Sequence, residues 1–385
     1  MKDLKFSALK GKALQVTARD IPTLIEINRA LPRDCFSINT KTSLRYLFQS
    51  LFIQLIVFCI GLLIPFSKTM IPIWILYSLL SGTTAMGFWV LAHECGHGAF
   101  SKNRILETCI GYLLHSILLV PYFSWQRSHS IHHRFTNHIS KGETHVPMVI
   151  DGNGKTEKRG GRRELYIASL LGKRKYGIFQ LITHLFIGWP AYLMTGSTGG
   201  LEYGMSNHFW PKKPFNDKLW QPKWINKVLI SDIGVFITIL LIISLISHYG
   251  FIPIFTFYFG PLIVVNCWLV IYTWLHHTEP DGPHLSNDEF TSIRGAFLTI
   301  DRNYGKVIDF LHHNIGSSHV IHHIYPNIPH YNAKEATCLI KKAFPKVYLY
   351  SSESIISALW NISCNCITVD SKNKEGVYIW QNSYK

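Results

Sequence analysis

The sequence predicts an all-α integral membrane protein: four transmembrane helices in two hairpins, with a cytosolic helical cap that carries a two-metal histidine site. Three observations predict this. Of the 385 residues, 48% are apolar and only 16% charged, against about 25% charged in ordinary soluble domains. Four apolar runs reach the length of about 20 residues that a helix needs to cross a bilayer. Histidines number 20, and three clusters of them lie outside these runs.

The runs cover residues 47–66, 70–92, 228–249 and 251–275. The first, second and fourth contain no Asp, Glu, Lys or Arg, and the third only Asp232, in its first turn. They are joined pairwise by Ser67-Lys68-Thr69 and by Gly250, hence the two hairpins. Four such runs argue against buried helices of a soluble core. Two shorter apolar stretches, 109–123 and 179–194, suit re-entrant or interfacial helices better than spans. Between them, Gly152, Gly154, Gly160 and Gly161 alternate with Lys155, Lys158, Arg159, Arg162 and Arg163. That stretch reads as a mobile, solvated connector. The chain thus divides into a cytosolic segment 1–46, a membrane and metal domain 47–344, and a cytosolic tail 345–385. No apolar stretch precedes position 47, so no signal peptide is expected. Eight scattered cysteines (Cys35, Cys59, Cys95, Cys109, Cys267, Cys338, Cys364 and Cys366) read as reduced thiols with no disulfide framework.

Charge sets the orientation. Of 38 Lys plus Arg, nine precede position 47, 17 lie in 93–226 and ten in 276–385, and Lys68 alone occupies a turn between paired spans. The positive-inside rule places both termini and the long middle segment on the cytosolic face. The formal net charge of +15 is explained this way, aided by anionic headgroups. No nucleic-acid-binding motif accompanies it, so no nucleic-acid partner is expected.

The histidine clusters carry the chemistry. His93 and His97 form HxxxH; His129, His132 and His133 form HxxHH, and so do His319, His322 and His323. On a helix, positions i, i+3 and i+4 share a face, so each cluster aims two or three imidazoles at one point. At this chain's histidine frequency, HxxHH arises by chance about 0.05 times per chain, whereas HxxxH is expected about once and is weak by itself. Eight convergent imidazoles exceed the ligand set of one zinc ion, and imidazole suits iron, zinc, copper and nickel. Two metal ions are the natural reading. His276-His277 follows the fourth run, and one of the pair, His277 first, is a candidate ninth ligand. His313 is a weaker one.

The other histidines take blander readings. His115 and His184 read as hydrogen-bonded packing residues in the apolar stretches, and His208, His248 and His284 as surface groups. His138, His145 and His330 lie close enough to the clusters to support ligands without binding metal. Glu94 either orients a neighbouring imidazole, as carboxylates commonly do, or is a solvated helix-end charge.

These residues resemble the membrane fatty acid desaturase family, from about residue 21 to 344. Beyond the histidine boxes, Pro22 to Ile27 and Leu31 to Phe36 (PTLIEI, LPRDCF) resemble the N-terminal signature of its methyl-end branch, which holds delta-12 and omega-3 enzymes. So do the runs His93 to Phe100 (HECGHGAF), Trp125 to Asn137 (WQRSHSIHHRFTN), Leu275 to Pro280, Arg294 to Ala296, Ile300 to Gly305, and His319 to Thr337 (HVIHHIYPNIPHYNAKEAT). The resemblance implies a di-iron, oxygen-dependent enzyme that places a cis double bond in an acyl chain, an unsaturated C18 chain in this branch. The chain would be carried in a phospholipid or as an acyl-CoA. The resemblance further implies electrons from a cytochrome b5-type donor, or ferredoxin in a bacterium or plastid, and an endoplasmic reticulum membrane. Its catalytic and metal residues are His93, His97, His129, His132, His133, His319, His322 and His323. His277 joins the metal set. Iron rather than zinc follows from the chemistry, because zinc has no redox states.

Two features narrow the branch. No His-Pro-Gly-Gly haem signature occurs, and the third box opens with His319 where front-end desaturases carry Gln. Both argue against a front-end enzyme. The run His312 to Gly316 looks slightly omega-3-like and HECGH slightly delta-12-like, so these two activities stand level. Hydroxylases, acetylenases and conjugases of the branch share the same boxes. A histidine-rich metal transporter is the reading from another class. It would need ionisable residues within the spans, and these have almost none.

Overall fold

The computed structural model describes residues 12–151, 155–158, 160–370 and 376–381. Its framework is helical. The first long helix, α1 (Thr40–Leu62), starts where the Asn39 side chain accepts from the Lys41 and Thr42 amides, an N-cap that satisfies otherwise orphaned donors. A tight turn leads into α2 (Ile71–His97), which stops at Gly98 in the left-handed region (φ 74°). Two shorter helices, α3 (Arg104–Ile117) and α4 (Tyr122–Arg134), meet at a bend of 101°. They are followed by α5 (Gly161–Thr195) and α6 (Pro222–Tyr249). Gly250, at φ 86° and ψ 166°, reverses the chain in a region that only glycine occupies freely. Phe251–Ile254 and a π-helical turn, Phe255–Phe259, then run into α7 (Gly260–His277).

The membrane layer follows from what these helices expose. Phe48, Phe52, Leu55 and Leu63 of the first hairpin stay exposed, as do Ile233, Phe236, Ile237 and Leu241 of α6. In water such a surface would drive aggregation. In hydrocarbon it is the lowest-energy face, and helices satisfy their backbone groups internally. Inside, α2 packs along α1, α3 and α7. A Cβ at Gly82 would run into the Pro261 carbonyl and one at Gly87 would lie 2.6 Å from that of Leu311, so small residues permit the close approach. Gln54 of α1 donates to Ser81 (2.8 Å) and accepts from Thr84 (2.6 Å).

Among the described residues, five helices, rather than the four expected, are long and apolar enough to cross a membrane. The fifth is α5, whose C-terminal half contains the stretch 179–194. A reading that stops at ionisable residues misses it, because Lys173, Arg174 and Lys175 interrupt the run. It is also broken by Gly172 (φ 68°) and contains Pro190. The stretch 109–123 is likewise split, between α3 and α4. Part of the glycine- and arginine-rich segment takes up regular structure, while Lys155, Gly160, Arg162 and Arg163 stay exposed as expected of a solvated stretch. Lys158 donates to the Val146 carbonyl (2.7 Å), and Arg162 and Arg163 fall in the first turn of α5. Gly152, Gly154 and Arg159 lie outside the described residues.

The cap is not purely helical. Strands β1 (Met148–Val149), β2 (His284–Leu285), β5 (Thr368–Asp370) and β6 (Val377–Gln381) form a sheet in the order β1-β5-β6-β2, and β3 (Asp301–Arg302) pairs with β4 (Tyr350–Ser351). Strands of two to five residues carry no usable alternation, which is why sequence periodicity does not announce them. Helices α8 (His319–Ile324), α9 (His330–Ala343) and α10 (Ile355–Asn365) complete the cap. The N-terminal segment is built into it: Val16, Ile27, Leu31 and Cys35 share one core with Phe297, Val320, Ile324, Ile340 and Tyr348. All eight cysteines are free.

One ion pair ties these parts together. Arg302, 1% exposed, donates to Glu279 (2.6 Å), to the Leu275 carbonyl at the end of α7 (2.9 Å) and to Ser351 (3.2 Å). Removing one partner of a buried pair costs about 3–5 kcal/mol. Arg302→Ala should therefore lower the thermal midpoint of detergent-solubilised protein sharply. The Arg302→Ala, Glu279→Ala double variant should lose less than the sum of the single losses.

Candidate metal centre

Four segments bring histidines to one place. His93 and His97 sit one turn apart at the end of α2; α4 contributes His129, His132 and His133; α8 contributes His319, His322 and His323; α7 ends on His277. They separate into two groups. In the first, ligand atoms of His93, His97, His129, His133 and His322 all lie within 4.8 Å of one another, and in the second those of His132, His277 and His323 do. His319 joins the second group, its Nε2 3.0 Å from that of His277.

The spacings fit metal ligation. In the first group, Nε2 of His93 is 2.9 Å from that of His129 and 3.2 Å from that of His97, and His133 is 3.1 Å from His129. In the second, His132 is 3.1 Å from His277. Two nitrogens each about 2.1 Å from a common ion, at a right angle, are about 3 Å apart. Mutual hydrogen bonds cannot account for the pattern. A neutral Nε2 offers one proton or one lone pair, yet His93, His129 and His277 each approach two other Nε2 atoms. Among the described residues, Nε2 of His322 and of His323 has no hydrogen-bond partner. Burial, reinforced by neighbouring histidines, holds His319, His322 and His323 neutral, well below the usual 6.5. Neutral imidazole is the ligating form.

The structure chooses between the paired candidates. Consecutive residues on a helix point about 100° apart, so only one of His276 and His277 can face the site. His277 does. His276 turns to the Ile300 carbonyl and, at 3.2 Å, to the Tyr304 hydroxyl. His313 belongs to neither group and lies 3.2 Å from Ser50 Oγ. His138 contacts Asn287 (3.1 Å) and accepts from the Ser140 and Lys141 amides. His145 stands with its ring 5.9 Å from that of His277. Glu94 is buried and accepts from both the amide (2.7 Å) and Nδ1 (2.6 Å) of His330, so it anchors the start of α9 and is not a solvated charge.

Three bland readings need correction. His208 and His284 are 0% and 2% exposed rather than on the surface: His208 packs from its loop against Ser128 and Trp220, and His284 sits in β2 beside β6 and against Trp380. His115 is buried as expected and packs edge-on to Trp125; among the described residues no side chain hydrogen-bonds to its ring nitrogens. His184 is stacked on Trp274 and hydrogen-bonded to the Gln180 carbonyl (2.9 Å). His248 is exposed.

Two residues without a site assignment in the sequence reading shape the centre. Asp301, 0% exposed, accepts from the Val320 amide (2.8 Å) and the Tyr348 hydroxyl (2.7 Å), fixing the start of α8. Glu143 lies on the wall of a cavity of about 60 Å³ that also touches His129, His132, Trp89 and Trp125. That cavity meets one histidine of each group. Burial pushes the Glu143 carboxyl up to about 8, partly opposed by the Tyr192 hydroxyl bonded to it. A lone carboxylate ten residues beyond the second box, in a stretch with no periodicity, gives no sequence signal.

Because Glu143 keeps its proton to about 8 in the folded chain against 4.5 normally, the folded state binds the extra proton. Its contribution is whole below about pH 4.5 and is lost as pH rises through about 8. The wild-type thermal midpoint should therefore fall relative to that of Glu143→Gln between about pH 5 and 9. A constant difference across that range would contradict the buried, protonated carboxyl.

Comparison with known proteins agrees with this geometry. Residues 69–354 match the sequence profile of the fatty acid desaturase family. The chain is 36% identical to a Delta(12) fatty acid desaturase of Calendula officinalis over 94% of its own length and 91% of that protein. It is 33% identical to a Delta(12) fatty acid desaturase of Mortierella alpina, over 90% and 88%. It is also 31% identical to an oleoyl-12-hydroxylase of Ricinus communis, over 94% and 91%. With its histidine clusters able to bind metal and its long apolar helices, this chain belongs to the fatty acid desaturase family, oxidoreductases that act on the fatty acyl chains of membrane lipids.

Proposed function

We propose that the protein is an oxygen-dependent di-iron desaturase that introduces a cis double bond toward the methyl end of an unsaturated C18 acyl chain, with delta-12 desaturation of an oleoyl phospholipid as its principal reaction. The observation that carries this reading is the cavity that touches His129 of one histidine group and His132 of the other. A methylene pair lodged there faces both metal positions. The likeness to the Delta(12) fatty acid desaturases of Calendula and Mortierella favours delta-12 over omega-3. The hydroxylase relative supports hydroxylation as the second reading, since the same site would serve it.

The ligand set is His93, His97, His129, His133 and His322 for one ion and His132, His277, His319 and His323 for the other. Iron, when bound, supplies the redox change that reduction of dioxygen requires and that zinc lacks. The chain's own residues do the rest. Trp89 and Trp125 pack against each other and against His93 and His129, giving a stiff, dry wall. Such a wall holds the substrate methylene in place and keeps water from the reacting position. Length alone is a weak discriminator, about 1–3 kcal/mol per methylene, so an existing cis kink serves as the register mark.

Four spans with both termini cytosolic remain the topology that best unites these facts. His97 and His129 share one group, so the segment between them crosses the bilayer an even number of times, and α3 with α4 is not a span. His132 and His277 share the other group, so the crossings between them are also even in number, which fits the hairpin of α6 and α7 joined at Gly250 with α5 on the cytosolic leaflet. The excess of Lys and Arg on the same side supports a cytosolic site; an endoplasmic reticulum membrane and a cytochrome b5-type electron donor are what the resemblance to methyl-end desaturases implies.

His132→Ala should abolish desaturation and lower bound iron from two ions per chain while leaving membrane insertion intact; full activity would refute the ligand set. In yeast lacking polyunsaturated lipids, the wild type should convert oleoyl to linoleoyl chains, located by gas chromatography–mass spectrometry. Ricinoleoyl product would favour the hydroxylase reading, and a bond only between the carboxyl group and the existing one would refute both. A tag near residue 250 should become detectable only after full permeabilisation, whereas tags at positions 2 and 385 should be accessible from the cytosol.

A further inference from the structure

Glu143 is one end of a buried chain of four polar side chains. The Tyr192 hydroxyl lies 2.8 and 2.9 Å from its two carboxyl oxygens and 3.0 Å from Ser128 Oγ. Ser128 Oγ is 2.9 Å from Nε2 of His208, whose Nδ1 is 3.2 Å from the Leu193 carbonyl. Ser128 can also donate to the Trp125 carbonyl at 3.0 Å. Glu143, Tyr192, Ser128 and His208 are 2%, 8%, 0% and 0% exposed.

Counting hydrogens shows that this chain is satisfied in two states. With Glu143 protonated, its O–H donates to Tyr192, Tyr192 donates to Ser128, Ser128 donates to Nε2 of His208, and Nδ1–H of His208 donates to Leu193. With Glu143 ionised, the Tyr192 O–H turns to the carboxylate while Ser128 keeps donating to Nε2 of His208. Rotating one hydroxyl, that of Tyr192, accommodates either state. A merely structural staple needs only one such arrangement, because an unsatisfied buried group is the costly alternative.

We propose that Glu143 is the proton donor of the acyl cavity, handing protons to the oxygen being reduced beside His129 and His132, with Tyr192 stabilising the carboxylate left behind. The inference rests on the desaturase reading above. Its balance is simple. Dioxygen becomes two waters by taking up four electrons and four protons. Two C–H bonds of adjacent methylenes supply two of each as the double bond forms, and a one-electron donor protein supplies the other two electrons. Two protons must come from solvent, and Glu143 passes them one at a time. It is reloaded from a polar cavity of about 80 Å³ that shares His145, His184 and Thr198 with the acyl cavity.

The test uses full-length protein in lipid nanodiscs with oleoyl phosphatidylcholine and a reduced donor protein. Glu143→Gln keeps a neutral donor toward Tyr192 but has no proton to give. It should lower kcat ~100-fold with KM and iron content unchanged, and Tyr192→Phe should lower kcat ~10-fold, the smaller loss expected of a hydrogen bond to a charged group. Infrared spectra of metal-free protein at neutral pH should show a protonated carboxyl band that Glu143→Gln lacks. A kcat within twofold of wild type in either variant, or no such band, overturns the proposal. If Glu143→Gln does not accumulate, Tyr192→Phe carries the kinetic test alone. Wild-type protein that makes no linoleoyl product would instead refute the desaturase reading, and the infrared comparison would still decide whether Glu143 holds the proton.

Discussion

The convergence of nine imidazoles, five in one group and four in the other, is the constraint on which the rest of the molecule depends. Their Nε2 atoms stand closer together than hydrogen bonding among neutral rings can satisfy, in an interior that disfavours charged ones. Both groups are able to bind metal, which would relieve this crowding. Three of the contributing segments are tied from outside the site: Arg302 grips the end of α7, Asp301 the start of α8, and Glu94 links α2 to the start of α9. Two carboxylates bonded through both oxygens and a guanidinium making three bonds are suited to this task, since a buried charge short of partners would be destabilising.

The same convergence limits how the chain can cross a bilayer. Histidines of one group must lie on one side, so crossings between them come in even numbers. This is a stronger restriction than hydropathy, which admits five helices by length and composition. Hydropathy measures whether a segment tolerates lipid, and α5 tolerates it over half its length. Whether it crosses depends on where its ends are tied. Tyr192 near its C-terminal end bonds to Ser128 and Glu143 beside the site, and α10 of the cap packs along it.

Function and stability meet in the strip between α4 and α5. Ser128 directly precedes His129 on α4, while Tyr192 and the buried His208 come from α5 and the loop after it. The cavity wall therefore combines rigid aromatic surface with a small polar network beside the reacting position. An apolar acyl chain needs no polar partner. A reaction that consumes protons in a dry site does.

By itself the sequence determined the helical class, the membrane layer and the eight box histidines that the structure gathers, because apolar runs and the i, i+3, i+4 spacing are local properties of one helix. It also carried the family, through motifs spread over most of the chain. Tertiary structure alone decided the division of the histidines into two groups, with His132 set apart from its neighbours and facing His277, 145 residues away. It decided between His276 and His277, which are alike in sequence but point in different directions about one helix. It buried His208 against Ser128 across 80 residues and set Glu143 beside Tyr192. Such pairings are contacts between distant segments, formed only when the cap closes over the helix ends, and no periodicity within either segment encodes them.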